Sequence, residues 1–426
     1  MSSSSDKSKK AFHIISTLQD VDVLFENINN KSLNDIIGDR LPIDTTVSEE
    51  GTKKRKEFLV KETSKKLNFL SGEKKFTEIK ELEGNIENYI GMTLVPTGVI
   101  GPVRVIGSAA KGDYYVPLAT SEGALLASYH RGAKACYLAG GATSICLVEG
   151  VQRSPVFKFD HIGNLGLFLS WTLQHLDEFK KITEKSSRFA RLMDMRTNIE
   201  GNHLILIFEF NTGDAAGQNM VTMCTDDVCR FIIENCPIKP LLWFIESNYS
   251  GDKKATALSF SNVRGKKVTS EILLTEKIVN EVLKTTPEYM AEYWRSSTIG
   301  IIQSGAIGTQ GHYANGLTAM FIATGQDVAC VAEAATGITR MELNKDGSLY
   351  ACVTLPNLIV GTVGGGTSLP TQRECLELMD CYGPGNARKY AEICGAVVLA
   401  GELSIAAALS AGHFTSAHAK FGRKKQ

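Results

Sequence analysis

An α+β fold in more than one unit is what this sequence predicts, on three observations. At 426 residues the chain is long for one apolar core. Short β-branched and aromatic runs in its middle alternate with helical ones, the pattern of a compact α+β unit. From about residue 257 onward, Ala/Gly-rich stretches point to one long central helix closely surrounded by others.

The elements follow in order. Residues 1 to about 85 are polar and Lys/Glu-rich, with short amphipathic runs ("DVDVLFENI", "RKEFLVKETSKKLNFL"), and read as a disordered tip and a small helical region. "KKRK" at Lys53–Lys56 lies within a mixed-charge helix and reads as a solvated face rather than a targeting signal. "GMTLVPTGVIGPVRVIG" suggests an irregular loop feeding strands. "DYYVPLATSEGALLASYHRGAKACYLAGG" reads as strand, turn and helix, with Thr120 or Ser121 as the N-cap. In the middle, "FKFDHIG", "HLILIFEF" and "PLLWFIES" are strand-like. "FLSWTLQHLDEFKKI" has one helical period, and "NTGDAAGQNMVTMCTDDVCRFII" is a loop opening into a helix. "HYANGLTAMFIATGQDVACVAEAA" reads as a long helix.

Composition excludes several classes. Forty-six basic residues balance forty-six acidic ones, so the charge that nucleic-acid binding needs is missing. Ten cysteines are scattered with no CxxC pair, which suits free thiols in a reducing compartment. "MSSSSDKSKK" lacks the features of a signal peptide. The most apolar run, "ICGAVVLAGELSIAAALSAG", is interrupted by Glu402 and reads as a packed internal helix, not a membrane span. The expected location is therefore cytoplasmic, or the cytosolic face of the endoplasmic reticulum if the chain is part of a longer anchored protein.

Several residues carry chemistry on their own showing. Glu122 falls at a strand-to-helix turn, as a dipole-stabilised first-turn glutamate or a catalytic carboxylate. Asp327 has small or apolar neighbours on every face of its expected helix, so it needs a cation or a proton, in a structural or a catalytic role. "NYSGDKKATA" places Asp252 beside Lys253 and Lys254. Gly364, Gly365 and Gly366 form a side-chain-free turn, either a hinge or a close approach to a flat cofactor. "GDAAGQNM" runs into a helix N-terminus suited to an anion, and Ser187, Arg188 and Arg191 are of the types that bind a phosphate monoester. His413 and His418 stand five residues apart, on different helical faces, which argues against a shared metal; none is expected. Lysine, carboxylates, histidine and glycine loops together suit proton-coupled reduction of a carbonyl.

In their order, "ENYIGMTLVPTGVIGP", "PLATSEGALLASYHRGAKA", "SSRFARL", "GDAAGQNM", "NYSGDKK", "ATGQD", "GTVGGGT" and "AGELSIAAALSAGH" resemble the 3-hydroxy-3-methylglutaryl-CoA (HMG-CoA) reductase family, in its eukaryotic-type class I. The resemblance implies a helical amino-terminal domain behind a disordered tip (1–86). It implies a large substrate-binding domain round a long helix (87–153 and 257–426), an inserted ferredoxin-like NADPH-binding domain (154–244) and a catalytic loop joining them (245–256). It implies Glu122, Lys253, Asp327 and His418 as catalytic residues, with Asp327 lying between Lys253 and Glu122. Arg131, Arg153, Asp252, Lys254, Asn315 and Leu409 are implied as substrate contacts. Ser187, Arg188, Asp214, Asn219 and Gly364 to Gly366 are implied as NADPH contacts. The implied reaction consumes HMG-CoA and two NADPH, yields mevalonate and CoA, and occurs in a homodimer or homotetramer with active sites between subunits.

The chain departs from the family pattern at a few places. Glu246 and Ser247 stand where Ser-Gly precedes the Asn-Tyr of the loop, Ala216 and Gln218 stand where methionines are common, and a lysine before Gly300 is replaced by Arg295 or Ser296. Lys424 stands where some relatives carry a phosphorylatable serine, so no phospho-switch is expected there. The alternative these departures raise is a non-catalytic paralogue that binds CoA thioesters and pairs with an active subunit. A reductase of another acyl-CoA is a third reading.

Overall fold

The structure is a computed structural model that describes residues 4–16, 41–42 and 47–411. The amphipathic run at 20–28 and both terminal histidines lie outside the described residues. The helix Glu49–Thr63 is capped by the Ser48 side chain, which accepts from Gly51 N–H at 3.1 Å. Lys53 and Lys54 face water and pair with Glu57 and Glu50. Glu374 anchors the segment that follows, accepting from Phe69 N–H at 2.9 Å and Leu70 N–H at 2.8 Å.

Among the described residues, eleven strands form one connected sheet. β1 (Thr97–Gly107) pairs antiparallel with β2 (Lys111–Ala119) and parallel with β3 (Ala142–Arg153). β4 is Val156–Lys158, β5 is Arg191–Glu200, β6 is His203–Asn211 and β7 is Leu242–Phe244. β8 is Gly265–Leu274, β9 is Gly308–Thr309, β10 is Gly337–Leu343 and β11 is Leu349–Leu358. The order is β7-β4-β6-β3-β8-β11-β10-β9, with β5 on β6. The hinge of this topology is β3. Its first part pairs with β8, and its last three residues pair with β6, Arg153 opposite Phe208. Arg153 therefore sits where the two halves meet.

Each half has its own core. One is an aromatic cluster including Phe157, Phe168, Phe179, Phe208 and Phe210. The other surrounds the helix Ala387–Ser410, the one described helix long and apolar enough to cross a membrane; 83% of its apolar window is buried in the protein. Small residues are required there. A Cβ on Gly132, in the helix Leu125–Leu138, would lie 1.8 Å from the Ala400 carbonyl oxygen, so the two backbones touch. Its two glutamates are fully used. Glu392 accepts from Ala109 and Ala110 N–H at 2.8 and 2.7 Å, tying down the β1–β2 turn. Glu402 accepts from Gly311 and His312 N–H and from the Thr339 hydroxyl at 2.7, 2.8 and 2.7 Å. Burial raises the Glu402 pKa, but these bonds and His312 outweigh it and hold it below the usual range.

Three expectations need correction. The helical run at 168–182 breaks at His175 into Ile162–Gln174 and Leu176–Ser186; the His175 ring stacks on Trp171 and its Nδ1 lies 2.8 Å from the Trp171 carbonyl. The helix after Glu122 starts at Leu125, not at Thr120 or Ser121, because Ala124 turns left-handed at φ 70°. The long helix expected through Asp327 ends at Thr324, where Gly325 caps it at φ 69°.

Candidate active site

That last correction changes what Asp327 is. It stands in the turn after Gly325, caps the short 3₁₀ turn Val328–Cys330 by accepting from Ala329 N–H at 3.1 Å, and is 40% exposed. The cation it needs is Lys253, whose Nζ lies 2.8 Å from Asp327 Oδ2. This hydrogen bond is the main reason the Lys253 pKa is raised, with partial desolvation acting the other way. Asp327 thus keeps Lys253 an ammonium, the form that can meet a developing oxyanion. The pair's stabilisation is present below the unfolded lysine pKa of about 10.4 and is lost as pH rises through the higher folded value. In Asp327→Asn the alkaline limb of the pH–rate profile should move to lower pH. An unmoved limb would mean that Asp327 does not hold that proton.

Lys253 is positioned by its backbone as much as by its partner. It adopts φ 57°, and its N–H donates to Glu333 Oε1 at 3.1 Å. Glu333 is completely buried and paired with buried Arg264. Arg264 reaches Asp252 Oδ1 at 2.8 Å, and Asp252 Oδ2 meets Arg153 at 3.1 Å. The lysine loop is thereby clamped to β3, β8 and the 331–334 helix by alternating charges. Sequence reasoning missed Arg264 and Glu333. Glu333 carried the signal that singled out Asp327, an acid among small apolar residues, but Arg264 before a strand carried none. Cys330 is no nucleophile, since burial pushes its thiol up to about 12.

Glu122, Arg131, Asn315 and Leu409 come together, lining a cavity of about 490 Å³ with Tyr129 and His312. Glu122 lies in the turn before its helix and accepts from Asn315 Nδ2 at 3.1 and 3.0 Å. Its described side-chain bonds go to Asn315, and those of Asp327 to Lys253 and Ala329. Arg131 is fastened to the central helix by Ser404, at 3.0 Å to its hydroxyl and 2.6 Å to its carbonyl. Lys254 is exposed and donates to Asn248 Oδ1 and the Asp252 carbonyl. Arg295 pairs with Glu292 on an exposed helix face. His418 lies outside the described residues.

The glycine loop packs against the turn that carries Asp327. Gly366 packs on Gly325, where a Cβ on either would overlap the other's carbonyl oxygen, at 2.7 and 2.2 Å. Cβ atoms on Gly364 and Gly365 would meet nothing within 4 Å, so this stretch presents open backbone. The loop before the helix Gln218–Asn235 abuts it, with Thr362 N–H donating to the Asp214 carbonyl at 2.8 Å. That helix starts at Gly217 without a side-chain cap. Open backbone beside an uncapped helix N-terminus fits an anionic dinucleotide. The Asp214 carboxylate, however, is engaged by Gly385 and Ala387 N–H at 2.7 and 3.0 Å, holding the start of the central helix. Ser187 accepts from Phe189 and Ala190 N–H, leaving Arg188 exposed beside it. Asn219 lies in the first turn of the Gln218–Asn235 helix.

An ammonium set on a carboxylate beside an open glycine loop defines a site for chemistry at a carbonyl, in an α+β enzyme. The fold matches that of a solved class II HMG-CoA reductase from Streptococcus pneumoniae, described as bound to NADPH, with a TM-score of 0.69 at 20% identity over 85% of this chain and all of that one. The family model for hydroxymethylglutaryl-coenzyme A reductase matches residues 51–423. The curated 3-hydroxy-3-methylglutaryl-coenzyme A reductases of Pyrococcus horikoshii and Methanocaldococcus jannaschii are each 43% identical, over 80% of this chain and 84% and 85% of their own. The chain belongs to the hydroxymethylglutaryl-coenzyme A reductase family. These archaeal relatives and the class II neighbour do not support the eukaryotic-type subtype that the motifs implied.

Proposed function

We propose that this protein is an NADPH-dependent reductase that converts HMG-CoA to mevalonate and CoA, the step that commits carbon to isoprenoid and sterol precursors. The observation that carries the reading is the Lys253–Asp327 pair, held at 2.8 Å beside the glycine loop in a chain of this family. NADPH, when bound, supplies hydride to the thioester carbonyl and then to the aldehyde. Lys253 stabilises the oxyanion in both stages, its proton secured by Asp327. His418 protonates the departing CoA sulfur, and Glu122, steadied by Asn315, donates the proton that completes the alcohol.

Arg153, Asp252, Lys254 and Asn315 are the proposed contacts for the acyl part, and Arg131 and Leu409 for CoA in the Glu122 cavity. Ser187, Arg188, Asn219 and Gly364 to Gly366 are proposed to hold NADPH, with Asp214 acting through the backbone of the adjoining loop. The domain division at 86, 153, 244 and 256, with a ferredoxin-like NADPH unit at 154–244, belongs to the same reading. So do a homodimer or homotetramer with shared sites, and a cytoplasmic location.

The test is NADPH oxidation by purified protein with HMG-CoA, beside a Lys253→Ala control. Cofactor choice is a separate matter. Arg188→Ala should raise KM for NADPH about tenfold through loss of a charge-assisted phosphate contact, leaving KM for NADH in place. An equal rise for both would remove Arg188 from the 2′-phosphate.

A further inference from the structure

Arg153 ends β3 and is only 6% exposed. Its NH1 group donates to Asp252 Oδ2 at 3.1 Å and to Glu246 Oε2 at 3.2 Å, and its NH2 donates to the Gln218 carbonyl at 3.3 Å. Its Nε and Glu246 Oε1 are both buried without a partner. Glu246 is held in this pose. Its Oε2 also accepts from Ser154 N–H at 3.3 Å and the Ser250 hydroxyl at 3.1 Å. The next residue, Ser247, donates both its N–H and its hydroxyl to the Ser154 carbonyl, each at 2.8 Å.

The charge count of this connected cluster is unbalanced. Glu246, Asp252 and Glu333 supply three carboxylates, and Arg153 and Arg264 supply two guanidiniums. A substrate carboxylate approaching Arg153 would be the third acid on one guanidinium. In a largely desolvated site, that repulsion is poorly screened. Without Glu246 the same cluster would be balanced, with one edge of Arg153 open to an incoming anion.

We infer that Glu246 is a specificity-determining residue, an internal carboxylate that occupies the Arg153 guanidinium and lowers affinity for acyl-CoA substrates carrying a distal carboxylate. The inference rests on the reductase reading, in which the 245–256 loop faces the acyl group. It makes the chain's own side chain a competitor of HMG-CoA. Acyl chains without the carboxylate do not feel that competition.

Glu246→Gln keeps an acceptor for Ser154 and Ser250 while removing the charge, and Glu246→Ser removes the side chain's reach. In both variants KM for HMG-CoA should fall about tenfold, the scale of one charge-assisted hydrogen bond. KM for NADPH, and for a CoA thioester whose acyl chain ends in a methyl group, should stay put. A merely structural role would move both thioesters together. An unchanged or higher KM for HMG-CoA in Glu246→Gln, or an equal fall for both thioesters, overturns the inference. Should a variant lose turnover, calorimetric titration with HMG-CoA decides in the same way, tighter binding supporting the inference and equal or weaker binding overturning it. Wild type and variants that all fail to turn over HMG-CoA would sink the reductase reading itself. An active wild type with an unmoved KM in the variants sinks this inference alone.

Discussion

Replacing Lys253 by alanine should lower kcat for HMG-CoA reduction by about 100- to 1,000-fold, the effect of removing a preorganised oxyanion donor. The fold should hardly notice. Lysine and alanine both carry a Cβ, so the left-handed φ of 57° is no harder for the variant. Asp327 is 40% exposed and can turn to water when its partner goes. An ion pair this exposed contributes about 1 kcal/mol at most. Melting temperature and HMG-CoA binding should therefore stay near wild type while turnover collapses. A variant keeping more than about a tenth of the rate would leave Lys253 less than 1.4 kcal/mol of transition-state stabilisation, too little for the role.

The second large effect is on stability. Glu333→Ala should destabilise the protein by about 3–5 kcal/mol, because it leaves the buried Arg264 guanidinium with Asp252 as its remaining carboxylate. The variant also takes the acceptor from Lys253 N–H, so the lysine loop loosens along with the core. Replacing both partners with apolar residues, Arg264→Met with Glu333→Leu, should recover most of the stability, since no buried charge is then left unpaired. The double variant should not recover kcat, because Lys253 still lacks its backbone anchor. Denaturant unfolding and kcat on the same preparations separate the two roles. A single variant that loses less than about 1 kcal/mol would place the ion pair with surface pairs. A double variant with full kcat would remove Glu333 from the positioning of Lys253.

Much of the fold was legible because it is local. The strand at 203–211 and the helix at 387–410 follow from β-branched and apolar residues and from small residues that admit close backbones. Misreadings fell where a single residue overrides a run of good neighbours. Gly325 ends a helix whose apolar period continues past it, and Ala124 takes a left-handed turn that no propensity favours. The break at His175 is of the same sort, made by a ring stacked on Trp171 within an otherwise helical pattern.

The candidate site divides in the same way. That Glu122, Lys253 and Asp327 are candidates for chemistry could be read from the sequence, because a charge among small or apolar residues needs a reason and because the motifs stand in one family's order. Which charge meets which could not. Arg153 and Asp252 are 99 residues apart, and Arg264 and Glu333 are 69. Long-range pairs depend on how β3 passes from one half of the sheet to the other, which no local pattern encodes. The α+β class, the family and the candidate residues could all be read from the chain alone, because each depends on short stretches of it. Only the assembled chain shows that Asp327 pairs with Lys253, that Asp214 holds the central helix, and that Glu246 lies on Arg153. Those pairings follow from charges that burial forces to find partners, and burial is a property of the assembled fold.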